Sequence, residues 1–273
     1  MDTGSMVRLP HPALRAYVES YVGYRHLTGP GVHHGLPSGS LTVVIAFDEP
    51  VELSWAERPE ARSRLWAIAA GLHNRPALIH HDGHQHGIQV ELTPLGARVL
   101  LGVPAAALAR EMVDLAAMLP LRYDALAAAA WPERFRLLDL TFLEALDGDR
   151  AWLLRPEVSR AWQLLATSHG SVPVAEVADD VGWSRRHLTT RFGAELGITP
   201  KQVARVFRFQ HARSLMGRGD RLADVAAYAG YADQAHLTRE WRELAGYTPA
   251  TYLREEIPFV QDREALDPAG SAP

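Results

Sequence analysis

The stretch Val174-Ala175-Glu176-Val177-Ala178-Asp179-Asp180-Val181-Gly182-Trp183 returns 48 positions later as Leu222-Ala223-Asp224-Val225-Ala226-Ala227-Tyr228-Ala229-Gly230-Tyr231. In both copies apolar residues recur at i, i+3, i+4 and i+7, which lines one face of a helix. A glycine and then an aromatic residue end each copy. The glycine permits a left-handed turn, and the aromatic ring pins that turn into a core. A second helix follows in each case. Its apolar face carries Leu188, Phe192 and Leu196 in the first copy and Leu237, Trp241 and Leu244 in the second. Ser184 and Asp233 stand where these second helices need an N-cap. Both copies close on Gly-x-Thr-Pro, at Gly197–Pro200 and Gly246–Pro249. Each proline then opens a further helix at its first turn.

A short helix, a glycine turn and a second helix make the helix-turn-helix plan. The helix joining the two units is expected from Pro200 to about Met216. At ~1.5 Å per residue it spans roughly 25 Å. With the turns added, two recognition helices can stand about one DNA turn, ~34 Å, apart. The exposed positions of the first are Arg185, Arg186, Thr189, Thr190 and Arg191. In the second they are Gln234, Ala235, His236, Thr238 and Arg239. Short or forked donor-rich side chains of this kind suit base edges. One arginine-rich helix is more often a solvated face. Two in matched repeats argue against that reading.

From about Val158 to Arg254 the chain resembles the DNA-binding domain of the AraC/XylS family of transcription regulators. The residues that carry the resemblance are Ser184–Phe192, Arg208–Arg213 in the linking helix, Gly230–Arg239, Gly246-Tyr247-Thr248-Pro249 and Tyr252. The resemblance implies base contacts at Arg186, Thr189, Thr190, Ala235, His236 and Arg239. It departs at Arg191, where the family often has an apolar residue before the phenylalanine. Double-stranded DNA is the implied partner. A small-molecule effector, a homodimer and, for an activator, RNA polymerase complete the implied set.

Composition agrees. The 273 residues suffice for two domains. Net charge is −4 over the whole chain, yet +2 over residues 155–256 against −4 over 1–154 and −2 over 257–273. The positive charge is therefore confined to the helix-turn-helix region. Cysteine is absent, which excludes disulfides, thiolate metal sites and cysteine nucleophiles, and with them the methyl-transfer repair known in the family. No apolar run nears the ~20 residues of a membrane helix, and no secretory signal pattern opens the chain. A cytoplasmic, non-enzymatic protein without a cofactor is expected.

The fold class expected is α+β: a β-rich, cupin-like barrel with connecting helices, then an all-α domain of two helix-turn-helix units. The domains are placed at 1–148 and 152–256, with a hinge at Asp147-Gly148-Asp149 and a disordered tail over 257–273. Strands are read at Leu41–Phe47, Leu65–Ala70 and Gly87–Leu92, and helical, alanine-rich segments from Pro94 to about Asp149. Within the β-rich part, Leu14, Tyr17, Val18 and Tyr21 predict one helix over Pro12–Tyr21.

Residues 80–86 hold four histidines, His80, His81, His84 and His86. Asp82-Gly83 is expected to split them across a hairpin. Solvated or pocket-lining histidines are the reading preferred here. The alternative is a metal-dependent cupin-like enzyme or metal sensor using His84 and His86, with Glu91 as carboxylate. An effector pocket is drawn from Tyr24, His33, Trp55, Trp66, His73 and His86, although the tryptophans are expected in the core.

Overall fold

A computed structural model describes residues 4–146 and 154–255. The expected hinge at 147–149 and the tail at 257–273 lie outside the described residues. Among the described residues ten strands form two antiparallel sheets. The first sheet runs in the order β1 (Gly4–Arg8), β2 (Val18–Leu27), β9 (His84–Leu92), β4 (Leu41–Ala46), β7 (Ala67–Ala70) and β10 (Met112–Asp114). The second is β3 (Gly31–Gly35), β8 (Ala77–His81), β5 (Val51–Trp55) and β6 (Arg58–Leu65). Among the described residues eleven α-helices follow or interleave, and the fold is the α+β arrangement expected.

Period-2 alternation decides which face of the first sheet is covered. Ile88, Val90 and Leu92 on β9 are fully buried, as are Val43 and Ile45 on β4. His86 shares their face and reaches α4 (Trp131–Leu146), whose Phe135 and Phe142 stack on Tyr21 at 6.0 and 6.4 Å.

Several expectations need correction here. Pro12–Tyr21 is not one helix. A 3-10 turn covers Pro12–Leu14, and β2 begins at Val18. The register of β2 on β9 slips between Val18 and Ser20, a bulge at Glu19. A bulge inserts one residue, so side chains three apart can face the same side. Val18 and Tyr21 are both buried for that reason, and the spacing imitates a helix. Second, the Pro94–Asp149 region is not wholly helical, because β10 returns to pair with β7. Third, Asp82-Gly83 does not close a hairpin. β8 and β9 belong to different sheets, and the turn, with Gly83 at φ +115°, is a corner between them. Trp66 marks a similar corner between β6 and β7, which divides the expected Leu65–Ala70 strand. It is 46% exposed rather than core.

The helical part begins with α5 (Pro156–Thr167) and ends with α11 (Pro249–Glu255). Its first unit, α6 (Val174–Asp180) and α7 (Arg185–Leu196), shares one continuous apolar core with the β-rich part. Its second, α9 (Leu222–Tyr228) and α10 (Gln234–Ala245), has a separate core around Phe209, Leu237, Trp241 and Tyr252. The linking helix α8 runs from Pro200 to Gly217.

Candidate nucleic-acid interface

The two units match hydrogen bond for hydrogen bond. Gly182 and Gly230 take φ of +70° and +77°. The next N–H bonds back to the helix, Trp183 N to Ala178 O and Tyr231 N to Ala226 O, both at 2.9 Å. The Ser184 hydroxyl accepts from His187 N at 3.2 Å, and the Asp233 carboxylate accepts from His236 N at 2.6 Å. These are the two N-caps, and they set the start of α7 and α10. His187 and His236 each turn an edge-on ring to the aromatic of the turn, at 4.7 Å from Trp183 and 5.3 Å from Tyr231. Gly197 and Gly246 end the helices with φ of +74° and +85°. Thr199 and Gln202 form a capping box that starts α8. At ~1.5 Å per residue, its 18 residues span about 27 Å.

Arg185, Arg186, Thr189, Thr190 and Arg191 on α7 are all exposed, as are Gln234, Ala235 and Arg239 on α10. His236 and Thr238 are half-buried. The hydroxyls of Thr189, Thr190 and Thr238 donate to the carbonyls of Arg185, Arg186 and Gln234 at 2.8, 3.0 and 2.8 Å. Each threonine therefore turns out a methyl group and lone pairs, which suit a thymine methyl or an amino donor. His236 Nδ1 accepts the Ala232 N–H at 3.3 Å, which leaves the proton of a neutral ring on Nε2 as a donor.

One cluster escaped the sequence reading. Glu240 on α10, its side chain 7% exposed, lies between Arg205 at 2.9 Å and Arg208 at 3.3 Å on α8. Arg205 also bonds Glu243, and the Arg208 guanidinium lies 5.4 Å from the Tyr231 ring centre. Paired charges of this kind tie α10 to α8 and so fix the pose of the second recognition helix. The available signal was the repeat itself: counted from the N-caps, Glu240 takes the place of Arg191. A carboxylate between Leu237 and Trp241, opposite arginines at i and i+3, marks a buried pair.

The six residues drawn on for an effector pocket are not gathered in one place. Trp55 and His73 meet, with ring centres 5.1 Å apart. Tyr24 stacks on His26, His33 contacts His81, and Trp66 contacts Tyr123 at the surface. His86 donates from Nδ1 to Asp48 at 2.8 Å and accepts from Arg134 at Nε2, also at 2.8 Å. Burial holds its pKa below the ordinary histidine value. His84 meets the same Asp48 oxygen at 3.3 Å. Both nitrogens of His86 are thus engaged. Among the described residues no group of three or more histidine, aspartate or glutamate side chains is arranged to hold a metal ion. Nor is any helix among them long and apolar enough to cross a membrane.

Two family models match the chain. Residues 177–255 match a helix-turn-helix domain, and residues 6–114 match a domain of unknown function, DUF6597. An uncharacterized HTH-type transcriptional regulator of Bacillus subtilis, YbfI, is 29% identical over 100 residues, 36% of this chain and 34% of that protein. One from Staphylococcus aureus is 27% identical over 97 residues, 35% of this chain and 13% of that protein. The match spans about a third or less of either relative. The structure of ToxT from Vibrio cholerae O395 aligns over 84% of this chain and 95% of its own, with a TM-score of 0.52 and 12% identity. That likeness concerns the fold alone. Such a fold, with matched units and exposed recognition helices, defines a tandem helix-turn-helix protein. Over its last third the chain is similar to the helix-turn-helix domains of HTH-type transcriptional regulators.

Proposed function

We propose that this chain regulates transcription by binding duplex DNA in sequence-specific fashion, α7 and α10 entering two successive major-groove segments on one face. The observation that carries this is the pair of matched units, with capped, exposed recognition helices held by one linking helix. Arg186, Thr189 and Thr190 on α7, and Ala235, His236 and Arg239 on α10, read bases. Arg185, Arg191 and Gln234 flank them towards the phosphates. The domain boundaries follow as 1–148 and 152–256, the first carrying the effector role, without catalysis. ToxT, of like fold, has structures bound to an unsaturated fatty acid and to (E)-4-(8-methylnaphthalen-1-yl)but-3-enoic acid. An effector in the β-rich domain here is proposed on that parallel. The reading extends to a cytoplasmic homodimer and, for an activator, to contact with RNA polymerase.

The test is selection of bound duplexes from a random pool by the full chain, followed by gel shift. A bipartite motif with half-sites about one turn apart is expected, with affinity falling steeply as salt rises. Binding with no sequence preference would overturn the proposal.

A further inference from the structure

Beneath the C-terminal end of α10 the β-rich domain has a pocket of about 250 Å³. Its walls come from the end of β5, the turn into β6, the loop between β7 and β8, and the segment before β10. Trp55 supplies a flat apolar wall, and the His73 ring is tilted against it by 60°. His73 is 8% exposed, and its Nδ1 donates to Arg75 O at 2.6 Å. The ring's remaining nitrogen, Nε2, is therefore an acceptor. Burial lowers the pKa of His73 to about 4, so the acceptor persists at neutral pH.

Arg58, Arg75 and Arg110 stand around the same opening, against Glu57 and Glu111. Glu57 bridges Arg75 at 3.3 Å and Arg110 at 3.6 Å, both solvent-exposed pairs. Exposed pairs are weak and exchange easily with another carboxylate. Arg110 holds φ of +60°, an uncommon conformation for a side-chain-bearing residue and one that recurs at ligand sites. Arg75 also leaves the pocket: its Nη1 donates to Glu243 O at 3.1 Å, on the last turn of α10.

We propose that this pocket binds a small planar organic anion carrying a hydrogen-bond donor, and that Arg75 relays its occupancy to the second recognition helix. The ring lies on Trp55, the donor meets His73 Nε2, and the carboxylate takes the place of Glu57 on the arginines. A volume below the ~300 Å³ of drug-sized sites limits the ligand to about one ring. Arg75 drawn towards the anion changes its hold on Glu243 O, and with it the seat of α10. Ligand and DNA then alter each other's affinity by one factor. The relay rests on the DNA-binding reading above; the pocket does not.

The experiment is calorimetric titration of the full chain with pyrrole-2-carboxylate and 4-hydroxybenzoate, and with their carboxamides as neutral controls. At least one acid is expected to bind at millimolar or lower concentration, at least tenfold tighter than its amide. Trp55→Ala and Arg58→Gln should each weaken it about tenfold, with the fold unchanged by circular dichroism. No acid binding, or binding equal to the amides or indifferent to both substitutions, overturns the site. DNA affinity of the selected operator is then measured with and without the acid. A shift of at least threefold, lost in Arg75→Gln at an acid concentration that calorimetry shows to saturate that variant, supports the relay. Acid binding with no shift overturns the relay alone, and failure to bind any DNA overturns the function proposed above, without touching the calorimetric result.

Discussion

Arg186 and Arg239 are exposed on corresponding helices, yet they stand four positions apart in register, since Thr190 rather than Arg186 matches Arg239 when counted from the N-caps. The two units therefore present different donor patterns to their half-sites. Arg186→Ala and Arg239→Ala should each cost about 1–3 kcal/mol of binding and relax preference at one or two base pairs, each in a different half-site. Competition gel shifts against single-base operator variants check this; a uniform loss over all variants would mark both as phosphate contacts. A second residue-scale prediction concerns pH. Burial lowers the pKa of both His33 and His73 to about 4. The unfolded chain binds protons near pH 6.5 that the folded chain refuses, so between about pH 6.5 and 4 stability falls as pH falls. Urea midpoints at pH 7.5 and 5 should separate in the wild type, and the gap should narrow in a His33→Phe/His73→Phe variant. An unchanged gap would assign the acid sensitivity to other groups.

The helix elements stand on their ends as much as on their faces. Ser184→Ala and Asp233→Ala each remove an N-cap and should cost about 1 kcal/mol. Because the caps serve units with separate cores, the double variant should lose the sum, and thermal unfolding of the three variants tests this. Glu240→Ala is a heavier change. It strands Arg208 and leaves Arg205 only Glu243, on side chains just 20% and 23% exposed, at a cost on the order of 3 kcal/mol. Restoring part of that stability by adding Arg205→Met and Arg208→Met would show that stranded charge, not lost packing, is the cause. Of these elements the caps were legible in the sequence, since capping is decided within four residues of chain. The Glu240 cluster was not, because its partners lie more than 30 residues away.

At the scale of the whole molecule, the β-rich domain grips both recognition helices at their C-terminal ends. A Cβ on Gly197, after α7, would lie 2.2 Å from the Ala109 side chain. His34 Nδ1 donates to Ala245 O at 2.6 Å, at the end of α10, and its ring packs on Tyr247. Between them Gly39 donates to Gln210 of α8 at 2.9 Å and leaves room for Phe207, whose ring a Cβ would meet at 2.3 Å. Gly39→Ala should therefore loosen the seam by roughly 1–3 kcal/mol. Faster proteolysis between the domains, reversed by adding Phe207→Ala, is the expected readout. Equal proteolysis of wild type and Gly39→Ala would mean that the seam yields at no cost.

By itself the sequence determined the tandem units: their period, glycine turns, N-caps, the linking helix and the family they resemble. Helical periodicity and capping are local, so ten consecutive residues suffice to state them. Tertiary structure alone decided how the strands were shared between two sheets. The Asp82-Gly83 turn became a corner rather than a hairpin, and the bulge at Glu19 turned an apparent helical face into a strand. It also brought Trp55, His73, Arg75 and Arg110 to one opening under α10. Strand partners and pocket walls are non-local, set by which buried faces must cover one another, and no window along the chain contains both sides of such a contact.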